Sequence, residues 1–463
     1  MIFTGINILL FCLVSIFIGL STFISYLFPK WLFYCRKALH ISVLSCLALS
    51  INFLSGNSIL EFGFFLIVCE LILIIFVLRG FFEIDNRRSW GIIYFLPPII
   101  CLLLVFPQNK FEIAVSVWIL ALSDGFSAIL GRLFDFEKWK TLNTIHWGLD
   151  RKTFIGSLVF FFTSVGVFFY FGVFKYSWMV FFASFFLTAI ELICGRGSDN
   201  FFLPICSFFF ILFLKNTPVT LVEVVSLNIP FLSLFIPLLF IVLRFKWLST
   251  SGLIFAVYLA SISLLTDTSL LPLVVFFILG TLAGRLNKTQ RSDVKHNKSR
   301  DAFQVLANGG VVLMLMIAHE VIHEFISYQF FVLISIAVAC SDTLSSEIGM
   351  RFGKKTYHIL TFKPIEKGVS GGVSIPGFLG AIFGSSVIAF FDLNHFLLIL
   401  FWGILGSVID SLLGVLFQAK YLNQGVLTDR PTNQLVGGFR FVSNDLVNFV
   451  SNLITVLLAL WMV

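Results

Sequence analysis

Residues 340–353 read CSDTLSSEIGMRFG, and residues 122–135 read LSDGFSAILGRLFD. Both run Ser-Asp, then any two residues, then two small or hydroxyl residues, then Gly seven positions past the Asp, then Arg within two more. Asp124 and Asp342 each stand inside a strongly apolar segment. A carboxylate in hydrocarbon costs about 2.5–3.5 kcal/mol at a helix centre, so a buried acid that occurs twice points to function. The plainer explanation is an Asp–Arg tie between helices, through Arg132 in the first copy and Arg351 in the second. Repetition of Ser123 and Ser341 beside the acids, and of the trailing Gly, weighs against it.

The surroundings of the motif define the class. Of 463 residues, 59% are hydrophobic and 12% charged, a mix that excludes an ordinary soluble domain. A bilayer core takes about 20 apolar residues per helix. About sixteen such stretches are legible, near 3–28, 38–54, 59–79, 91–106, 110–131, 154–174, 177–195, 200–215, 225–243, 250–265, 269–284, 303–325, 327–349, 372–391, 394–416 and 445–462. The expected fold is an all-α polytopic integral membrane protein. The first stretch has no basic residue before Lys30 and is read as a retained helix, not a signal peptide. Eight scattered Cys form no C-x-x-C pair, so neither metal fingers nor a disulfide scaffold is expected. The 60 Phe are read as lipid-facing bulk.

The net charge of +7 does not imply a nucleic-acid partner. All but roughly three of the 31 Lys and Arg fall in alternate loops, the exceptions being Lys110, Lys175 and Lys215. The positive-inside rule makes the basic loops cytoplasmic and puts both termini outside. A multi-pass protein of a bacterial inner membrane is expected, with its polar sites facing the cytoplasm.

Asp124 lies in the fifth stretch and Asp342 in the fifth of the second eight. Two parallel pseudo-repeats of about eight spans follow, residues 1–217 and 218–463. Each motif is followed by a basic loop and a Lys-small-Gly block, RKTFIGS (151–157) or EKGVSGGVS (366–374). In the first half, Arg36, Lys37 and His40 open the second span, with Arg36 and His40 on one face. Lys152, Gly156 and Ser157 open the sixth, Glu191 closes the seventh, and Asp199 and Asn200 precede the eighth. In the second half, Arg300, Gln304 and Asn308 form an i, i+4, i+8 stripe beside Asp301. Glu347 follows Asp342, and Asp410, Asn444, Asp445 and Asn448 flank the last loop. Basic groups and Gly-rich helix starts hold phosphate, and one or two carboxylates with phosphate oxygens hold Mg²⁺. Such a surface suits phosphoryl transfer from a nucleotide to a lipid. No Walker or protein-kinase motif occurs.

The first half resembles the CTP-dependent phytol and dolichol kinase family, through RKALH (36–40), LSDGFSAILGR (122–132), KTFIGS (152–157) and ELICGRGSDNFFLP (191–204). The second half resembles the phytyl-phosphate kinase and transmembrane protein 19 (DUF92) family. Its matching blocks are RDAFQVLANGG (300–310), SDTLSSEIGMRFG (341–353), KGVSGGVSIPGFLG (367–380), DSLLG (410–414) and NDLVN (444–448). Two departures stand out: Ile155 where the first family usually has an acid, and Ser370 where the second often has Asn or Glu. The resemblance implies a fused kinase. The first half would phosphorylate an isoprenoid alcohol and the second would convert the isoprenyl phosphate to the diphosphate, each with Mg²⁺ and CTP or another nucleoside triphosphate. It implies catalytic Asp124 and Asp342. Phosphate contacts would come from Arg36, Lys37, Arg132, Lys152, Gly156, Ser157, Arg300, Lys367, Gly368, Gly371, Gly372 and Ser374. Metal ligands would come from Asp124, Asp342, Glu191, Glu347 and Asp301.

Two other readings stand beside it. Paired halves and buried charge also suit a transporter, with Glu70 in the third span as its best residue and a helix–helix hydrogen bond as the plainer role. HEVIH (319–323) fits the zinc-protease pattern, with His319 and His323 as ligands, Glu320 as base and Asp392 or His395 as candidate third ligands.

Overall fold

A computed structural model describes residues 31–54, 58–78, 93–134, 144–145, 152–195, 197–217, 242, 244–266, 268–286, 299–322, 328–423, 426–429 and 435–462. The chain divides into two compact units, Met1–Leu221 and Val222–Val463.

In the first unit the helices are α1 (Leu32–Phe53), α2 (Ser58–Leu78), α3 (Leu96–Val105), α4 (Lys110–Leu133), α5 (Phe154–Phe171), α6 (Ser177–Ile193) and α7 (Asp199–Asn216). The strands β1 (Thr144–Ile145) and β2 (Lys152–Thr153) pair antiparallel before α5. The second unit holds α8 (Thr250–Leu265), α9 (Leu271–Leu286), α10 (Ala302–Ile322), α11 (Tyr328–Phe352), α12 (Ile375–Ala389), α13 (Phe396–Phe417) and α14 (Asn444–Met462). Strands β3 (Tyr357–His358) and β4 (Gly372–Val373) pair before α12. Strands β5 (Lys420–Asn423), β6 (Val426–Thr428) and β7 (Leu435–Gly437) form a sheet of order β6-β5-β7 between α13 and α14.

Fourteen helices thus coincide with fourteen of the apolar stretches. The stretches 3–28 and 225–243 lie outside the described residues, apart from Val242. Against the sixteen crossings expected, eight helices among the described residues are long and apolar enough to cross a bilayer. Helices α3, α6, α8, α9 and α12 are apolar but shorter.

The motif helix is central to each unit. In α4, Ile113, Ala114, Val115 and Val117 are fully buried, and in α11 so are Ile334, Ile336, Ala337 and Cys340. A helix apolar on every side belongs in the interior. The outer helices instead present Phe162, Tyr170, Leu397, Phe401 and Trp461 to their surroundings, as lipid-facing surfaces do. Helix α4 is interrupted by a widened π-turn over Ile119–Asp124, which ends on the acid; such turns cluster at functional sites.

The two units share a local arrangement around the motif. In each unit a two-stranded hairpin feeds straight into the helix that follows the motif. Thr153 caps α5 by accepting the Gly156 N–H at 3.1 Å, and Ser374 caps α12 by accepting the Gly377 N–H at 3.2 Å. Gly156 then crosses Gly131 of the motif helix, and Gly377 crosses Gly349. A methyl group on Gly131 would lie 3.2 Å from Gly156 Cα, and one on Gly349 would lie 3.4 Å from Gly377 Cα. Close backbone approach at small residues is how membrane helices pack. These contacts match Thr153 with Ser374, so the counterpart of Lys152 is Val373. The expected equivalence of Lys152 with Lys367 is therefore out by six residues, because the loop before α12 carries the extra turn that holds Gly368 and Gly371.

Candidate functional site

In the first unit, the opening turns of α1 bring Lys37 and His40 onto the end of the π-turn. Lys37 Nζ donates to Asp124 Oδ2 at 2.8 Å, and His40 Nε2 lies 3.4 Å from the same oxygen and 3.2 Å from the Leu120 carbonyl. Asp124 is buried. Lys37 and His40, at i, i+3, both meet the acid. Arg36 makes an interaction of its own. Ser123 is buried and accepts a hydrogen bond from Ser164 Oγ at 3.0 Å. On the same cluster, Lys152 Nζ lies 2.5 Å from Glu191 Oε1 and 3.5 Å from Asp199 Oδ2. Burial alone would lower the Lys152 pKa; Glu191, Asp199 and Asp124 outweigh it and raise it. Asp199 Oδ1 accepts the Asn200 N–H at 3.1 Å, and Ser157 Oγ donates to the Thr153 carbonyl at 3.1 Å. The Asp–Arg ties are not formed among the described residues. Arg132 is exposed and stacks on Phe33 at 4.3 Å, and Arg351 makes no ion pair with a described residue.

The second unit is built differently. Asp342 on α11 and Asp410 on α13 converge on Asn448 of α14. Asp410 Oδ2 accepts the Ser451 hydroxyl at 2.9 Å. The surrounding network orients the Asn448 amide to donate to Asp410 Oδ2 at 3.2 Å and to the Asn444 carbonyl at 2.8 Å. Its oxygen then faces Asp342 Oδ2, the two atoms being 3.5 Å apart. No Lys, Arg or His among the described residues pairs with either acid. In the first unit every acid of the cluster has a lysine; here two acids have none. Deeper along the same seam, Asn452 Nδ2 donates to the Ser335 carbonyl at 3.1 Å, while Asn452 Oδ1 and the hydroxyls of Ser335 and Ser341 find no partner among the described residues.

Asp342 and Asp410, with the Asn448 side chain between them, are the groups that would hold Mg²⁺, which takes one or two carboxylates and keeps the rest of its shell for water or phosphate. The other expected ligands do not join it. Asp124 and Glu191 are engaged by lysines, Asp301 caps α10 by accepting the Gln304 N–H at 3.2 Å, and Glu347 lies toward Arg300. Among the described residues no three of His, Cys, Asp and Glu gather as a metal site. HEVIH does not assemble there either. His319 stacks on Tyr328 at 3.8 Å, His395 pairs with Asp392 at 2.8 Å, and His323 lies outside the described residues. Glu70 is buried, and the hydrogen bond expected for it is not formed among the described residues.

The glycine-rich loop lies over α13 next to the acid pair. Gly368 and Gly371 both have φ +81, a backbone that side chains resist, and a methyl group on Gly371 would collide with Val415 and sit 3.2 Å from the Ser411 carbonyl. Beneath the loop a cavity of about 50 Å³ is lined by the hydroxyl residues Ser345, Ser374, Ser407 and Ser411 at the start of α12. A latch from the β-sheet holds the loop. Asp429 Oδ2 accepts the Ser370 N–H at 3.0 Å and the Gln418 side-chain amide at 3.0 Å, and Ser370 Oγ donates to Gln418 Oε1 at 2.9 Å. Gly372 lies in β4. Lys367 is exposed and pairs with no described residue. Asp445 has a partner elsewhere.

Sequence reasoning placed Asp410 among secondary polar groups and did not single out Ser451, Gln418 or Asp429. The first two were readable: Asp410 is an acid in an apolar run, and Asn444, Asn448, Ser451 and Asn452 recur at i, i+4, i+7, i+8. The latch depends on a sheet with no periodic signal.

These helices, with buried acids at their polar ends, define a multi-pass integral membrane protein. The chain belongs to the family of integral membrane proteins DUF92, whose model matches residues 233–456. It is 35% identical over 179 residues to the uncharacterized membrane protein MJ0933 of Methanocaldococcus jannaschii, covering 36% of this chain and 73% of that one. It is 30% identical over 222 residues to Protein PGR of Arabidopsis thaliana, covering 40% of this chain and 77% of the relative. It is 28% identical over 216 residues to the chloroplastic Protein VTE6 of the same plant, covering 44% of this chain and 62% of the relative. No solved structure matches the chain significantly.

Proposed function

We propose that the second unit is a lipid kinase that transfers a phosphoryl group from a nucleoside triphosphate, CTP by resemblance, to an isoprenyl monophosphate. The first unit would make that monophosphate from the alcohol. The observation that carries the reading is the Asp342–Asp410 pair, joined through Asn448 and answered by no basic side chain. Such a pair is a place for a divalent cation, and it abuts a glycine-rich loop and a hydroxyl-lined cavity at a helix start. Mg²⁺ held by Asp342 and Asp410 would neutralise triphosphate charge. Ser345, Ser374, Ser407 and Ser411 would donate to phosphate oxygens, and the left-handed Gly368 and Gly371 let backbone approach them. Asn448 holds the two acids in register. In the first unit Lys37 and Lys152 would hold phosphate, while His40 and Asp124 orient the accepting hydroxyl. Both sites would open to the cytoplasm, where the donor is.

The test is phosphorylation in membranes containing the whole chain, given geranylgeraniol or phytol and labelled CTP. Monophosphate and diphosphate should both form, and Asp342→Asn should stop the reaction at monophosphate. Diphosphate formed at the normal rate by that variant would remove the reading.

A further inference from the structure

A second cavity lies in the same unit, among α8, α9 and α10. Its volume is about 120 Å³, close to the ~150 Å³ apolar cavity that accepts benzene. Its walls are apolar, with Ala260, Leu273 and Phe277 among them. The polar exceptions are Arg300, Gln304 and Asn308, one stripe along α10. Arg300 is pinned by its backbone, which donates to the Trp247 carbonyl at 3.1 Å and accepts from the Ser249 N–H at 2.9 Å. Its guanidinium makes no hydrogen bond or ion pair with a described residue. Its ring contact is Phe277, 5.8 Å away. Glu347 is the anion that acts on it, without an ion pair; a buried cation so loosely answered is expensive, and here it borders a greasy cavity.

The guanidinium also lies on the motif side. A methyl group on Gly280 of α9 would be 2.8 Å from Arg300 Nη2 and 3.1 Å from Thr343 Cγ2. The glycine therefore leaves room for Arg300 against the residue that follows Asp342. We propose that this cavity binds a single-chain lipid monophosphate, its phosphate on Arg300 with Gln304 and Asn308 alongside, and the isoprene unit nearest the phosphate between α8 and α9. A guanidinium meets phosphate oxygens with paired donors, and the apolar walls take that unit. The assignment deepens the kinase reading by naming the acceptor's seat, yet binding there requires no nucleotide.

The test uses the full-length chain in phosphatidylcholine nanodiscs without nucleotide, and a geranylgeranyl monophosphate carrying a diazirine on its first isoprene unit. Crosslinks should map to α8–α10. Unlabelled geranylgeranyl monophosphate should compete at a concentration lower than geranylgeraniol by about tenfold or more, the worth of one charge-assisted hydrogen bond. Inorganic phosphate and the two-chain phosphatidic acid should not compete. Arg300→Gln should erase the preference for phosphate over alcohol, and Arg300→Lys should restore part of it. Ala260→Phe should fill the cavity and reduce labelling by both ligands, with Gly280→Ala as a second route to displace the guanidinium. Crosslinks elsewhere, an unchanged preference in Arg300→Gln, or equal competition by phosphatidic acid would overturn the assignment. Labelling as expected in membranes that form no diphosphate would keep the cavity assigned and remove the kinase reading instead.

Discussion

No basic side chain among the described residues answers Asp342 or Asp410, and that has a thermodynamic signature. Removing one charge from an uncompensated pair relieves repulsion and desolvation, whereas removing one partner of a buried ion pair costs about 3–5 kcal/mol. In chelator, Asp410→Asn should therefore melt at or above the wild-type temperature. Added Mg²⁺ should raise the wild-type melting point and leave the variant's unmoved. A variant that melts well below wild type in chelator would show that the pair is a structural tie. At this scale the sequence was informative where chemistry is local. Asp124, Asp342, Lys152 and Glu191 stood out as charges in apolar surroundings, and all lie in the polar clusters. It was silent where partners come from distant segments. Nothing near Asp124 in sequence says that Lys37 reaches it, because the contact depends on the angle at which α1 crosses α4.

Between elements, the tightest fit is α11 on α12. A methyl group on Gly380 would lie 2.7 Å from the Leu344 carbonyl oxygen, and one on Gly384 would lie 2.7 Å from that of Cys340. Backbone offers no side chain to move aside, so Gly384→Ala should cost about 1–3 kcal/mol and lower the melting temperature in a thermal-shift assay, whereas Gly166→Ala, with open space around it, should not. The latch on the glycine-rich loop should respond to pH. Burial pushes the Asp429 carboxyl up to about 6, against the Ser370 N–H and Lys420. The folded state thus holds this proton more tightly than the unfolded chain does. The stabilising proton is fully bound below about pH 4 and is lost as pH rises through 6, an effect on the order of 2 kcal/mol. Hydrogen exchange across β5–β7 should accelerate over that range beyond its intrinsic rate. In Asp429→Asn the excess should vanish. Helices were legible here because their apolar runs are long. The sheet between α13 and α14 was not, because strands of three or four residues leave no period.

For the whole molecule, the proposed reading gives each unit its own polar cluster and so its own separable step. Asp124→Asn and Asp342→Asn proteins placed in the same liposomes with geranylgeraniol and CTP should together make diphosphate, with the monophosphate diffusing through the bilayer between them. Failure of the mixture, with each variant folded, would mean that product must pass within one chain. The doubled motif marks one acid in each of the two units. The difference between the halves could not be read there, because it resides in which basic groups reach the acids. One such difference is the π-turn that closes on Asp124. A stretch wound that loosely climbs less per residue than its neighbours, so α4 carries slack that the straight α11 lacks. Losing one residue between Ile119 and Ser123 would take up that slack and leave both ends of α4 aimed as they are now. The same loss lower in α4 would swing the acid about 100° off its lysine.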